Sequence, residues 1–186
     1  VTRKKNGGKG KALADGVRKA DELGLTHVLQ IDSDGQHDAE RVAHFVEVSK
    51  KNPDAIICAY PEYDESAPKH RVNGRAIANA WIHTVTLSKQ IKDGMIGFRI
   101  YPVAPYVKLL NSHAIIDARM GYDIDILVRL FWKNVPIICE SVKVTYPVDG
   151  VSNFRVVRDN ARISLTYARL FLGMIVRLPI LIFRKI

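Results

Sequence analysis

Two periods alternate along this chain. Val28-Leu29-Gln30-Ile31, Ala55-Ile56-Ile57-Cys58-Ala59-Tyr60 and Pro136-Ile137-Ile138-Cys139-Glu140-Ser141-Val142-Lys143-Val144 are short, dense apolar runs that predict buried strands. Between them apolar residues recur at helical spacing. Residues 12–20 carry Leu13, Val17 and Ala20, and residues 38–51 carry Val42, Phe45, Val46 and Val48. Residues 72–90 carry Ala76, Ile77, Ala80, Trp81 and Val85, and residues 103–112 and 122–132 also read as helices. Polar, proline-bearing residues 61–71 read as a mobile loop, and Asp93 to Tyr101 as a turn into a further strand. Strands alternating with helices predict an α/β fold with a mostly parallel sheet flanked by helices. Val1-Thr2-Arg3 reads as the end of a strand, which sets the expectation of a chain truncated at its N-terminus.

The C-terminal stretch changes character. Arg158, Arg162, Arg169 and Arg177 fall within roughly a 100° arc of a helix, and most other positions up to Phe183 are apolar. No uncharged run approaches the ~20 residues that span a bilayer. A basic stripe opposite a broad apolar face suits a helix lying in the membrane interface. A helix that packs that face on its own domain is the competing reading. The expected organisation is a catalytic domain over 1–157 and a basic, amphipathic, membrane-interfacial helical tail over 158–186.

With 186 residues, 47% of them apolar, the chain suffices for one domain with a real core. Its 28 Lys and Arg against 19 Asp and Glu give a formal net charge of +9, which favours anionic partners: phosphorylated small molecules, nucleic acid or an acidic membrane surface. Cys58 and Cys139 each follow an Ile-Ile pair and read as buried strand thiols, which fits a reducing compartment.

The strongest chemical signal is the acid pair that ends the first apolar run, Ile31-Asp32-Ser33-Asp34-Gly35-Gln36-His37. Alternation along an extended chain puts Asp32 and Asp34 on one side. Two carboxylates so placed repel unless something positive lies between them, and a hard divalent cation that also holds phosphates fits best. A polar turn built of ordinary turn formers accounts for the same residues. Upstream, Asn6-Gly7-Gly8-Lys9-Gly10-Lys11 is a glycine-rich basic loop opening a helix, where backbone and Lys9 can approach an anion. It is not a Walker A loop: Ala12 stands where Ser or Thr is required, and Lys5 where the first glycine belongs.

Four landmarks occur in order: Asn6-Gly7-Gly8-Lys9-Gly10, Asp32 to His37, Asp93-Gly94-Met95-Ile96-Gly97-Phe98-Arg99, and Gly121-Tyr122-Asp123-Ile124-Asp125. In this order the chain resembles family-2 glycosyltransferases of the GT-A fold, a Rossmann-like sheet flanked by helices. It looks closest to the dolichyl- or polyprenyl-phosphate sugar transferase branch. Gly97 to Pro102, Asp149-Gly150-Val151-Ser152-Asn153-Phe154-Arg155 with Asp159-Asn160, and the Arg-Leu-Pro tail are similar to glycosyltransferases of bacterial aryl-polyene and flexirubin clusters, where acyltransferases accompany them. The resemblance implies a missing first strand, a nucleotide-sugar donor, Mg²⁺ or Mn²⁺, and a lipid or lipid-phosphate acceptor. It places Asp34 and Gln36 on the metal and Asn6, Lys9 and Asp32 on the nucleotide. Arg71, Arg75 and Arg99 fall on the acceptor side, with Asp93 and Asp123 as the catalytic carboxylates. Asp123 and Asp125 are also ordinary first-turn acids of a helix, and a phosphate acceptor needs no strong base. One departure stands out: the branch's R-x-x-G-x-S frame reads Pro147-Val148-Asp149-Gly150-Val151-Ser152, with Pro in the arginine's place.

The expected enzyme is inverting, and nonprocessive because a Q-x-x-R-W signature is absent. It would work at the inner face of the bacterial cytoplasmic membrane, in cell-envelope biosynthesis, with an acyltransferase partner and without nucleic acid. Two alternatives compete. A D-x-D phosphatase continues its motif with Thr or Val, whereas Gly35-Gln36 follows here. A basic membrane- or nucleic-acid-binding module accounts for the charge but not for the acid pair.

Overall fold

The computed structural model describes residues 2–3, 5–32, 40–63, 67, 69–144 and 155–184. Along the chain it forms α1 (Lys9–Glu22), β1 (His27–Gln30), α2 (Arg41–Lys51), β2 (Ile56–Tyr63), α3 (Lys69–Thr86), β3 (Arg99–Pro102), α4 (Val103–Leu110), α5 (Tyr122–Trp132), β4 (Ile137–Val144) and α6 (Val156–Phe183). Most of the residues expected in a loop at 61–71 belong to β2 and α3 instead, because β2 pairs with β4 as far as Tyr63.

The four strands form one sheet in the order β1-β3-β2-β4. β2 and β4 are parallel, while β3 runs against both β1 and β2. Three strands therefore share a direction. β3 opposes them because the chain after α3 returns to the edge where β1 ends, so that Arg99 lies beside Gln30.

Alternation sends Phe98 and Ile100 to one face of the sheet and Arg99 and Tyr101 to the other. On the first face Phe98 stacks on Phe45 of α2, ring centroids 4.3 Å apart, in a small core with Ile57, Ala59 and Val142. The larger core lies opposite, where Ile56, Cys58 and Tyr101 meet residues of α1, α3, α4, α5 and α6. Cys58 and Cys139 are both free thiols. Burial pushes the Cys58 thiol up to about 12.

α6 docks on this larger core by one face. Ile163, Tyr167, Leu170, Met174 and Leu181 are buried, and the Tyr167 hydroxyl donates to the Ala78 carbonyl of α3 at 2.9 Å. Two of the four stripe arginines turn back onto the domain. Arg169 lies 3.8 Å from the buried Asp125 carboxylate, which Arg129 also pairs. Arg177 covers the Trp132 ring at 4.7 Å. The other face of α6, with Leu165, Phe171, Leu172, Ile175 and Val176, is exposed and apolar. By length and composition alone, Val157–Phe183 is also apolar enough to cross a membrane, with a mean hydropathy of 1.7 in its most apolar window. The two faces differ in what they do for stability. Leu170→Ala is expected to cost about 2–5 kcal/mol, and Leu172→Ala less than about 0.5 kcal/mol; urea denaturation of both variants measures the difference.

Candidate functional site

The end of β1, the amino ends of α1 and α5, and the turn at 93–97 meet at one edge of the sheet. Open α/β sheets bind ligands at such an edge, beyond the carboxyl ends of their strands. Lys9, the first residue of α1, reaches Asp32 Oδ1 at 2.6 Å and Asp123 Oδ2 at 2.7 Å. Burial of the ammonium works against its charge, but Asp123 and Asp32 outweigh it and raise the Lys9 pKa above its ordinary value. Asp123 accepts at its other oxygen from Gln30 Nε2 at 2.7 Å. Its backbone carbonyl accepts from Arg99 Nη1 at 2.8 Å.

Glycines make this convergence possible. A methyl group on Gly97 would overlap the Asp32 carboxylate, and one on Gly10 would overlap the Tyr122 ring. The Gly10 N–H donates to the Ala118 carbonyl at 3.1 Å, which ties the start of α1 to the segment before α5. Asn6 is turned into its own loop, where Oδ1 accepts the Gly8 N–H at 2.9 Å.

Arg99 underlies the site and does not line it. It is 0% exposed, and it donates to the Tyr101 hydroxyl at 3.0 Å as well as to Asp123. Its Nε and Nη2 have no hydrogen-bond partner among the described residues. The register explains the position: Gln30, Arg99, Cys58 and Cys139 face one another across all four strands. Motif likeness alone pointed Arg99 at an acceptor, but a residue in the middle of a sheet covered on both faces does not reach one.

Arg75 and Asp93 do come together. Asp93 is 1% exposed and lies 3.5 Å from Arg75 Nη1. One of its oxygens accepts the N–H groups of Met95 and Ile96 at 2.9 and 2.8 Å, and the other accepts from Asn79 Nδ2 at 3.3 Å. Beside this pair opens a cleft of about 190 Å³ whose lining includes Tyr60, Tyr63, Arg75 and Lys92. The Lys92 ammonium sits over the Tyr60 ring, 4.2 Å from its centroid. The cleft therefore carries two cations and an aromatic wall. Arg71 lies in the first turn of α3, and its side chain is outside the described residues.

Asp34 and Gln36 also lie outside the described residues, as do the segment 145–154 and the proline at 147. Among the described residues no three His, Cys, Asp or Glu side chains gather as metal ligands. A carboxylate and an amide oxygen from Asp34 and Gln36 are donors a hard divalent ion accepts. Asp32, two residues before Asp34, is already held by Lys9.

Sequence reasoning passed over four residues of this region. Gln30 was a polar residue inside an apolar strand, a signal that it has a buried partner. Lys92 adjoins Asp93 in sequence. Asn79 and Tyr60 carried no signal of their own, because only the fold brings them to the cleft.

The family model for glycosyl transferase family 2 matches residues 1–113, which include the glycine loop, the acid pair and the Asp93 turn. Similar solved structures include glucosyl-3-phosphoglycerate synthase from Mycobacterium tuberculosis in two complexes. The complex with phosphoglyceric acid has a TM-score of 0.60, and 91% of this chain and 56% of that one are covered. The UDP complex has a TM-score of 0.59, with coverage of 91% and 55%. Identity is 13% in both, so the likeness is one of fold. The chain spans a little over half the length of that enzyme. None of the curated proteins matches it. With the family model covering more than half of its 186 residues, the chain belongs to glycosyl transferase family 2.

Proposed function

We propose that this protein is a metal-dependent glycosyltransferase that moves a sugar from a nucleotide-sugar donor to a lipid-linked or membrane-borne acceptor, inverting and nonprocessive. The observation that carries the reading is Lys9, held between Asp32 and Asp123 where β1 ends and α1 begins. A cation fixed at a helix amino end suits a nucleoside diphosphate. Asp34 and Gln36 would hold Mg²⁺ or Mn²⁺, whose charge would stabilise the departing diphosphate. Asn6 shapes the loop on the nucleotide side.

The acceptor side is the cleft beside Asp93. Arg75 and Lys92 suit a phosphate or another anionic group on the acceptor. Arg71, on the same helix, would add to them.

The surface supports a membrane-borne acceptor. Trp81 of α3 is half exposed and meets Phe171 of α6 edge-on, ring centroids 6.3 Å apart. Ile77, Trp81, Phe171 and Ile175 are exposed on the two helices, and α3 also lines the acceptor cleft. An interfacial placement fits better than a span. Crossing the bilayer would strip Tyr167, Leu170 and Met174 from the core and carry Asp159, Arg162 and Arg169 into hydrocarbon. On this reading residues 1–157 are the catalytic domain and 158–186 the membrane-facing helix. The work is done at the inner face of a bacterial cytoplasmic membrane, beside an acyltransferase.

The test is transfer itself. Protein, Mn²⁺ and a panel of labelled UDP- and GDP-sugars are incubated with anionic vesicles carrying a polyprenyl phosphate. Label is expected in the lipid phase with one donor, and only with metal. Absence of transfer and of donor turnover with every sugar contradicts the proposal. The triple change Phe171, Leu172 and Ile175 to Ser is expected to lower vesicle cosedimentation about tenfold or more, since each side chain inserts apolar surface.

A further inference from the structure

Asp123 stands where a base would be expected, yet each of its oxygens already accepts one hydrogen bond and its side chain is only 9% exposed. Oδ1 accepts from Gln30 and Oδ2 from Lys9, at 2.7 Å each. A general base needs a lone pair within reach of the proton it removes. The backbone of Asp123 is fixed as well, through Arg99. Two groups from two strands, Gln30 and Arg99, thus fix this residue, and what its carboxylate orients in turn is the Lys9 ammonium.

The Lys9 side chain is the more accessible member of the pair, at 34% exposed against 9% for Asp123. An ammonium has three donors, and Asp32 and Asp123 take two of them. Its remaining donor has no partner among the described residues and is left for solvent or a bound anion. Both carboxylates act from behind: they fix a flexible side chain and keep it charged. Such preorganisation favours a diphosphate because little reorganisation is needed when it arrives.

We infer that Asp123 is a positioning residue, not the base: with Gln30 it aims Lys9 at the diphosphate of the donor. The inference rests on the nucleotide-sugar reading above and assigns its acid–lysine pair to the leaving-group side. It leaves the acceptor without a base at this position, which suits an acceptor that is already anionic.

The experiment is a double-mutant cycle on the full chain, using Lys9→Met, Asp123→Asn and both together. It reads the affinity for UDP or GDP with Mn²⁺ by calorimetry and kcat with the matching nucleotide sugar. Each single change is expected to weaken nucleotide binding about 10- to 100-fold, as befits loss of a charge-assisted hydrogen bond. In the Lys9→Met background, Asp123→Asn is expected to alter neither affinity nor kcat by more than about twofold, because residues that act as a unit are not additive. A further fall in kcat of about 10²–10⁴-fold in that background is what a base would give, and it overturns the inference. So does an Asp123→Asn protein that keeps the parent's nucleotide affinity. If Asp123→Asn does not fold, Gln30→Met removes the other donor to the same carboxylate. It is expected to weaken binding about 2- to 10-fold, and unchanged affinity overturns the inference. Failure of the parent protein to bind either nucleotide overturns the transferase reading, and this inference with it.

Discussion

Asp34→Asn is expected to leave the protein folded and to lower sugar transfer about 10²–10³-fold, the scale on which losing one preorganised electrostatic contact acts. The departing nucleoside diphosphate gains negative charge as the glycosidic bond breaks. On the proposed reading, Asp34 would hold the divalent ion whose charge would stabilise that diphosphate. Asp32 cannot substitute for the lost ligand, because its carboxylate is committed to Lys9 at 2.6 Å and lies against Gly97. Raising Mn²⁺ into the millimolar range is expected to restore part of the rate, since Asn keeps an oxygen donor. Steady-state kinetics against metal concentration measures both effects. Unchanged turnover removes Asp34 from the metal site.

The second large effect is on stability. Asp93→Ala is expected to cost about 3–5 kcal/mol, the range for removing one partner of a buried ion pair. Asp93 holds the N–H groups of Met95 and Ile96, accepts from Asn79, and faces Arg75 from a position 1% exposed. Truncation leaves those donors and the guanidinium without their acceptor. Asp93→Asn keeps one oxygen for the two N–H groups, and its expected loss is about 1–3 kcal/mol. Urea denaturation of both variants tests the pair. Full stability with lost activity in Asp93→Ala would make the carboxylate catalytic alone and not the clasp of the turn.

Strand–helix alternation was legible because apolar runs and helical periods depend on near neighbours. The direction of β3 was not, because pairing order depends on contacts far apart in sequence, such as Gln30 with Arg99. Arg99 shows how a motif misleads about location. Phe98, Ile100 and Tyr101 are all apolar or aromatic, so a strand covered on both faces gives no inward–outward alternation to place the arginine. The α6 arginines were legible as a stripe, but their use was not. Arg169 and Arg177 serve the domain through Asp125 and Trp132, partners on α5 that helical periodicity in α6 does not reveal. Within the site, the sequence held the two acids and the lysine as separate motifs. Only the fold brings Asp123 of α5 to Lys9 of α1, more than a hundred residues apart.

The most direct test of the central claim is isothermal titration of the folded, full-length protein with UDP and with GDP, each in the presence and absence of Mn²⁺. Binding of one nucleotide, strengthened by the metal, is the expected result and names the donor class. A folded protein that binds neither nucleotide under any metal condition would contradict the transferase account and leave a basic, membrane-binding domain as the better description.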